Sequence, residues 1–227
     1  MSETAGVPVL EIENISRRYG KTLAVEGFSL AIEPGEVIGL VGDNGAGKST
    51  LIKMISGYVS PSSGIIKVMG QRARFKSPKD ARAAGIETVY QDLAIVDDIA
   101  LWRNFFLGQE LYRKVLGVRL LDVKKMAQIC GEHLDEIGLT SIASAHQTAT
   151  TLSGGERQSL AISRAVYFES RILLLDEPVA ALSVRETRRV FDAIETAKSK
   201  GLGVLYIDHN MEHVLPVADR IAIMHKG

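Results

Sequence analysis

The chain has 227 residues, enough for one large domain or two small ones, and its 46% hydrophobic and 24% charged residues are the balance of a soluble globular protein. Its 27 basic and 27 acidic side chains cancel, which removes the broad basic field that unspecific nucleic-acid binding needs. No apolar run approaches the ~20 residues of a membrane span, the opening MSETAGVPVLEIEN lacks a signal-peptide pattern, and the single cysteine excludes an internal disulfide, in keeping with a reducing cytosol.

Leu10–Ile15 and Phe28–Ile32 alternate apolar and polar residues and read as half-buried strands. Pro34-Gly35 marks a turn, and the nearly all-apolar run Val37–Val41 reads as a strand buried on both faces. KSTLIKMISG reads as a helix closed by Gly57, and GIIKVMG as a short strand. SPKDARAAG carries a complete short helix: Ser77 as cap, Pro78 at the first position, Asp80 in the first turn and Gly85 past the end. From about Asp92 to Ala165 the pattern is mostly helical, and Cys130, at helical spacing with Met126 and Leu134, reads as a buried structural thiol. Strand signals return with RILLLD and GVLYID. Between them Ser183 and Glu186 form a capping box, Gly201 ends the helix, and Val190, Phe191, Ile194 and Ala197 form its core-facing stripe. Strand–helix–strand of this kind implies a parallel α/β sheet. The chain reads as one domain, a core of residues 1–91 and 166–227 with a helical insertion at 92–165. RIAIMHKG follows a strand-like run so closely that the end reads as abrupt, as a truncation would leave it.

Gly42–Thr50, GDNGAGKST, fits the phosphate-loop pattern at Gly42, Gly47, Lys48 and Ser49. Gly42, Gly45 and Gly47 permit backbone angles that let successive N–H groups converge on an anion, and the following helix adds its positive end. Lys48 reaches the β- and γ-phosphates, and the Ser49 hydroxyl suits Mg²⁺. Asn44 and Ala46 fill permitted positions and are counted, with Thr50, in the nucleotide-binding stretch. A chance glycine-rich turn is the bland alternative, and the position between a buried strand and a helix argues against it.

RILLLDEP buries a strand and delivers two carboxylates to its end, where ligands of parallel sheets bind. Asp176 would hold Mg²⁺, in part through water, and Glu177 would polarise the attacking water. A solvated acidic pair is the alternative. Farther upstream Ser153, Gly154 and Gly155 precede an amphipathic helix in the same grammar of small residues and free N–H groups. A plain capping box of Ser153 with Glu156 fits the same residues.

LSGGERQ, 23 residues (176 − 153) before Asp176, resembles the signature motif of the ATP-binding cassette family. The resemblance covers essentially the whole chain. It implies an α/β phosphate-loop ATPase with a RecA-like parallel core, an N-terminal antiparallel β subdomain and an inserted helical subdomain. It further implies ATP and Mg²⁺ as cofactors, and a head-to-tail homodimer in which Ser153, Gly154 and Gly155 grip a γ-phosphate held by the second subunit. Gln91 in VYQD resembles the family glutamine that contacts Mg²⁺ and the attacking water. His209 in YIDHN resembles the histidine that contacts the γ-phosphate beside the catalytic glutamate, and Tyr19 in RRYG the aromatic residue stacked on adenine. A strand-end amide, a structural histidine and a turn tyrosine are the corresponding alternatives.

Three positions depart from the family pattern: Ser183 stands where aspartate is usual, Val179 where threonine is frequent, and Asp208 where a small hydroxyl residue is common. Asp208 would raise the pKa of His209 if the two side chains approach.

GDNGAGKSTLIKMISG, GIETVYQDLA, NFFLGQE and DHNMEHVLPVADRIAIM together resemble the ATPase subunits of bacterial monosaccharide importers. That implies import of a small sugar through separate transmembrane permease subunits, with a solute-binding protein as an indirect partner and no nucleic acid. The location implied is the cytoplasmic, inner face of the cell membrane. A partner helix in a groove of the helical insertion would couple the two, with Trp102, Phe105 and Phe106 as docking or core residues. The alternatives are a soluble ATPase of the DNA-repair or translation type, which expects a coiled-coil insertion, tandem cassettes or a basic surface, and a nucleotide-gated regulatory module, which expects a damaged acidic pair.

Overall fold

The structure is a computed structural model that describes residues 6–91, 95–115, 117–136, 139 and 144–227. Three apolar strands of the predicted kind organise it. β3 (Val37–Val41), β9 (Ile172–Asp176) and β10 (Gly203–Asp208) are buried along nearly their whole length and pair in parallel. β6 (Ile86–Val89) and β11 (Arg220–Ile223) extend them to a five-stranded sheet of order β11-β3-β10-β9-β6. Its alternating side chains feed two cores. Ile38, Leu40, Leu174, Leu205 and Ile207 join one, with α1 (Lys48–Ile55). Val37, Val41, Leu173, Leu175, Val204 and Tyr206 join the other, with α6 (Val184–Ser199). Burial on both faces is what makes such strands read as unbroken apolar runs.

β1 (Leu10–Tyr19) and β2 (Thr22–Ile32) form a long antiparallel hairpin that continues through β4 (Ser63–Val68) and β5 (Gln71–Ala73), in the order β2-β1-β4-β5. Both hairpin strands run further than the sequence reading gave them. Register shifts between Ile12 and Ile15 and again on either side of Arg17 interrupt the alternation on which that reading depended. α2 (Pro78–Ala83) starts at Ser77 as expected, with the Ser77 hydroxyl accepting from the Asp80 amide.

The stretch between β6 and β9 contains α3 (Leu101–Phe105), α4 (Val123–Glu136) and α5 (Gly154–Tyr167) around a core that includes Trp102, Phe105, Phe106, Met126, Cys130 and Leu134. Burial pushes the Cys130 thiol up to about 12, as befits a structural cysteine. The expected boundary at Asp92 lies outside the described residues, and Ala165 falls inside α5. The stretch is mostly helical as expected, with one hairpin that the sequence does not announce. Tyr112–Val115 (β7) and Val118–Leu121 (β8) pair as an antiparallel hairpin. All eight residues are exposed, so no buried face imposes a period of two on the sequence. The α6 stripe is likewise rotated slightly: Val190, Ala193, Ile194 and Ala197 are buried, while Phe191, one residue round the helix, is half-buried. The short α7 (Met211–Val214), capped by Asn210, links β10 to β11.

Candidate functional site

The parallel register aligns the strand ends. Asp208 pairs with Val41, Ile207 with Asp176, and Val89 with Leu175. The phosphate-loop stretch after β3, the acidic pair at the end of β9, His209 after β10 and Gln91 beyond β6 therefore all leave the sheet at its carboxyl edge.

Lys48 opens α1 and is buried, with Nζ donating to the Gly42 carbonyl and to the Asp43 carbonyl at 3.1 Å. Gly47 takes φ 108, and a Cβ there would stand 2.5 Å from the Ala24 carbonyl oxygen, so both conformation and space demand glycine. α1 has neither a side-chain cap nor an acid in its first turn, whereas α2, α5, α6 and α7 are each capped by their own Ser or Asn. Its first amides remain available to an external anion. A pocket of about 430 Å³ opens over them, lined by Asp43, Asn44, Gly45, Gly47, Lys48, Ser49 and Thr50 together with Asp176 and Glu177. Gly42 is half-buried at the base of the loop and Ala46 is buried.

Glu177 sits in the left-handed region at φ 47, with its N–H donating to the Ile207 carbonyl at 2.8 Å. A non-glycine residue held there stores strain of a kind that concentrates at functional sites. Its Oε1 lies 2.8 Å from His209 Nδ1. Nδ1 faces carboxylate oxygens and so carries the proton, which turns Nε2 away from the pair. The hydrogen bond and charge of Glu177 raise the His209 pKa, and Asp208, 3.5 Å away, adds a lesser push in the same direction. The expectation that Asp208 would act this way holds in sign, with Glu177 the larger cause.

The Asp176 carboxyl is also raised, first by burial and then by the neighbouring Glu177 charge, with Lys48 opposing. Two crowded carboxylates at a buried edge are what a hard divalent cation compensates, and the Ser49 hydroxyl lining the same pocket is a further oxygen donor of the kind that suits Mg²⁺. Glu177, Asp208 and His209 also bring ligating atoms within 4.8 Å of one another. Those atoms are already engaged in hydrogen bonds, so we assign the trio as a hydrogen-bonded network rather than a metal centre.

Besides Gly42 and Ala46, four sets of predicted residues do not line this pocket, and of these His209 reaches it only through its hydrogen bond to Glu177. Tyr19 stands at its edge: it pairs with Thr22, which does line it, and its ring is exposed with Arg17 stacked 4.8 Å from the centroid. Gln91 is exposed two residues beyond β6. Ser153, Gly154 and Gly155 begin α5 and pack instead against α6. Ser153 and Glu156 form the capping box anticipated as the plain alternative. Gly154 is exposed, but Gly155 is buried against Glu186, whose Oε1 lies 3.5 Å from the Gly155 amide. The Ser183 hydroxyl holds that Glu186 carboxyl down at about 2. In the reverse sense, Thr22, Leu23, Ala24, Lys226 and Gly227 line the pocket unannounced by any motif. They arrive through tertiary pairing: the Gly227 amide donates to the Ala46 carbonyl, and the Met224 amide to Val41.

The profile of the ABC transporter family matches residues 25–180. A xylose/arabinose import ATP-binding protein of Sulfolobus acidocaldarius is 45% identical over 96% of this chain and 85% of its own length. A fructose import ATP-binding protein of Rhizobium meliloti is 44% identical over 97% of this chain and 86% of its own. A ribose import ATP-binding protein of Escherichia coli O157:H7 is 39% identical over 97% of this chain, which spans only 42% of that relative. Among solved structures, an ATP-binding cassette of an ABC transporter in its ADP conformation superposes with a TM-score of 0.81 at 24% identity, over 97% of this chain and 88% of that one. With fold, strand-end chemistry and sequence in agreement, the chain belongs to the ABC transporter family, as one of its ATP-hydrolysing subunits.

Proposed function

We propose that the chain binds ATP with Mg²⁺ at the carboxyl edge of its parallel sheet, hydrolyses it, and thereby powers import of a small solute, a monosaccharide, through a separate membrane permease. The observation that carries this reading is the Glu177–His209 hydrogen bond of 2.8 Å at the edge that also holds Lys48 and Asp176. In this reading Gly42–Thr50 cradle the phosphates and Lys48 supplies a charge to the β- and γ-oxygens. Ser49, Asp176 and Gln91 would hold the cation, which when bound would neutralise charge on the phosphate oxygens. Glu177 takes a proton from the attacking water, and His209 in its cationic form donates from Nε2 to the γ-phosphate. Tyr19 packs on the adenine.

The solute class rests on the relatives, whose names specify import of xylose/arabinose, fructose and ribose. These names also disfavour a DNA-repair or translation machine. Among the described residues no helix is long and apolar enough to cross a membrane, so the chain would work docked to a permease on the inner membrane face. The partner's helix would fit a groove of about 180 Å³ between β6, α3 and α5, which Tyr58, Tyr90, Asn104, Phe105 and Arg164 help to line. Trp102 and Phe106 belong to the core beneath. We further take residues 92–165 as the inserted helical subdomain, and a second copy as the source of Ser153, Gly154 and Gly155 at each γ-phosphate. A solute-binding protein would deliver the sugar.

Lys48→Ala should cut ATP turnover by about 10²–10³-fold, the usual cost of removing one preorganised charge donor. Unchanged turnover of that variant refutes the site. Loss of sugar uptake by permease-containing vesicles on the same substitution ties the hydrolysis to transport.

A further inference from the structure

We propose that Asp208 and His213 are positioning residues for His209: with Asn210 they close a hydrogen-bonded ring around the turn from β10 into α7, and Asp208 divides its carboxylate between two imidazoles. The inference rests on the reading of His209 as the residue that meets the γ-phosphate. It departs from that reading in assigning work to two residues that do not touch nucleotide.

The ring has three bonds. The Asn210 N–H donates to Asp208 Oδ1 at 2.9 Å. His213 Nδ1 lies 3.1 Å from Asp208 Oδ2. Asn210 Nδ2 lies 3.4 Å from His213 Nε2. Only one tautomer serves all three, since a carboxylate accepts and an amide nitrogen donates: His213 carries its proton on Nδ1 and accepts at Nε2. His209 is the residue enclosed between Asp208 and Asn210. Asn210 also caps α7, its Oδ1 accepting from the Glu212 amide at 3.0 Å, so the ring is anchored to a helix.

Asp208 is 1% exposed. A buried carboxylate needs compensation, and here the donors are the Asn210 amide and His213, with the His209 ring a nearby charge. One oxygen faces each ring: Oδ1 is 3.5 Å from His209 Nδ1, and Oδ2 is 3.1 Å from His213 Nδ1. Groups bearing on His209 are Glu177 from the end of β9, Lys48 from α1 and Asp208 itself. Around Asp208 stand the Tyr206 hydroxyl on the same strand, Asp176 on β9, and His213 on α7. The Tyr206 hydroxyl is buried without a hydrogen-bond partner among the described residues, and it stays protonated because burial and these acids drive its pKa up. The ring thus fixes the backbone that aims His209 and sets how much of the Asp208 charge His209 feels.

The test is an NMR titration of the His209 imidazole in the full chain, with kcat and KM for ATP measured in parallel, for Asp208→Asn, His213→Gln and His213→Leu. Asp208→Asn should lower the His209 midpoint by on the order of half a pH unit, because a charge in near contact is lost. His213→Leu should raise the midpoint, since the carboxylate loses its competing donor, and should lower kcat several-fold at little changed KM. His213→Gln keeps a donor for Asp208 and should restore kcat. A midpoint that neither Asp208→Asn nor His213→Leu moves overturns the proposal, and so does wild-type kcat in His213→Leu. If Asp208→Asn does not fold, the two His213 variants decide it alone. The titration requires no turnover, so its outcome separates from the Lys48→Ala test of hydrolysis.

Discussion

The parallel sheet and the β7–β8 hairpin are both built from extended chain, and they differ in almost everything else. β3 and β10 are buried along their whole length, and β9 along all but its last residue. In β7 and β8 every residue is exposed. Strands packed on both faces are held in register by side chains on two sides, and their ends can place catalytic groups to within a hydrogen bond. A two-stranded ribbon with neither face covered is marginal by itself, and no predicted site residue lies on it. The proposed chemistry sits where the backbone has least freedom.

The sharpest way to break that contrast is to change the chemistry and leave the sheet alone. Glu177→Gln should lower ATP turnover by about 10²–10⁴-fold, the range of general-base catalysis, with ATP binding retained. Equal turnover to wild type in a coupled phosphate-release assay would remove the strand end from the mechanism. Next in size is the support beneath. Leu174→Ala, at a position with no exposure, should cost about 2–5 kcal/mol in denaturant unfolding, from lost transfer energy and the cavity left behind.

A smaller effect should appear on titration. Glu177 raises the His209 pKa above the ordinary 6.5, so the charged imidazole persists above that value and is lost as pH rises through the folded value. Turnover should fall along the same limb, and His209→Gln should abolish the limb. The folded-state stabilisation from this pair has the same sign: it is fully present below 6.5 and fades as pH rises through the raised value. It stays small because the imidazole is half exposed. Least of all, Val118→Ala on the hairpin should shift unfolding by no more than about 0.5 kcal/mol. A cost matching that of Leu174→Ala would erase the distinction between the two kinds of strand.

Burial also explains how legible each part was. Val37–Val41, RILLLD and GVLYID announced themselves as apolar runs, and the phosphate loop and acidic pair are local motifs whose spacing is the signal. Ser77 and Ser183 were readable as caps because capping is decided within four residues. The long β1–β2 hairpin was only half visible, because its register shifts scramble the alternation. β7 and β8 carry no buried face, so nothing in the mostly helical stretch marks them as strands. At the site, Thr22, Leu23, Ala24, Lys226 and Gly227 could not be found from any motif, since only the closing of the sheet brings them to the pocket. The Asp208–His213 contact has a similar origin. The sequence flags Asp208 as unusual, but which imidazole it grips depends on how α7 folds back.

The position of β3 has a consequence for synthesis. Its neighbours are β10 and β11, both translated long after it, and the Ala46 carbonyl is met by the Gly227 amide. The phosphate loop is therefore written early and braced late. While the ribosome still holds residues 203–227, the nascent chain has its anion cradle but no flanking strands to fix it, and the apolar faces of β3 stand uncovered. The cradle gains its flanking support only when β10 and β11 slot in on either side of β3.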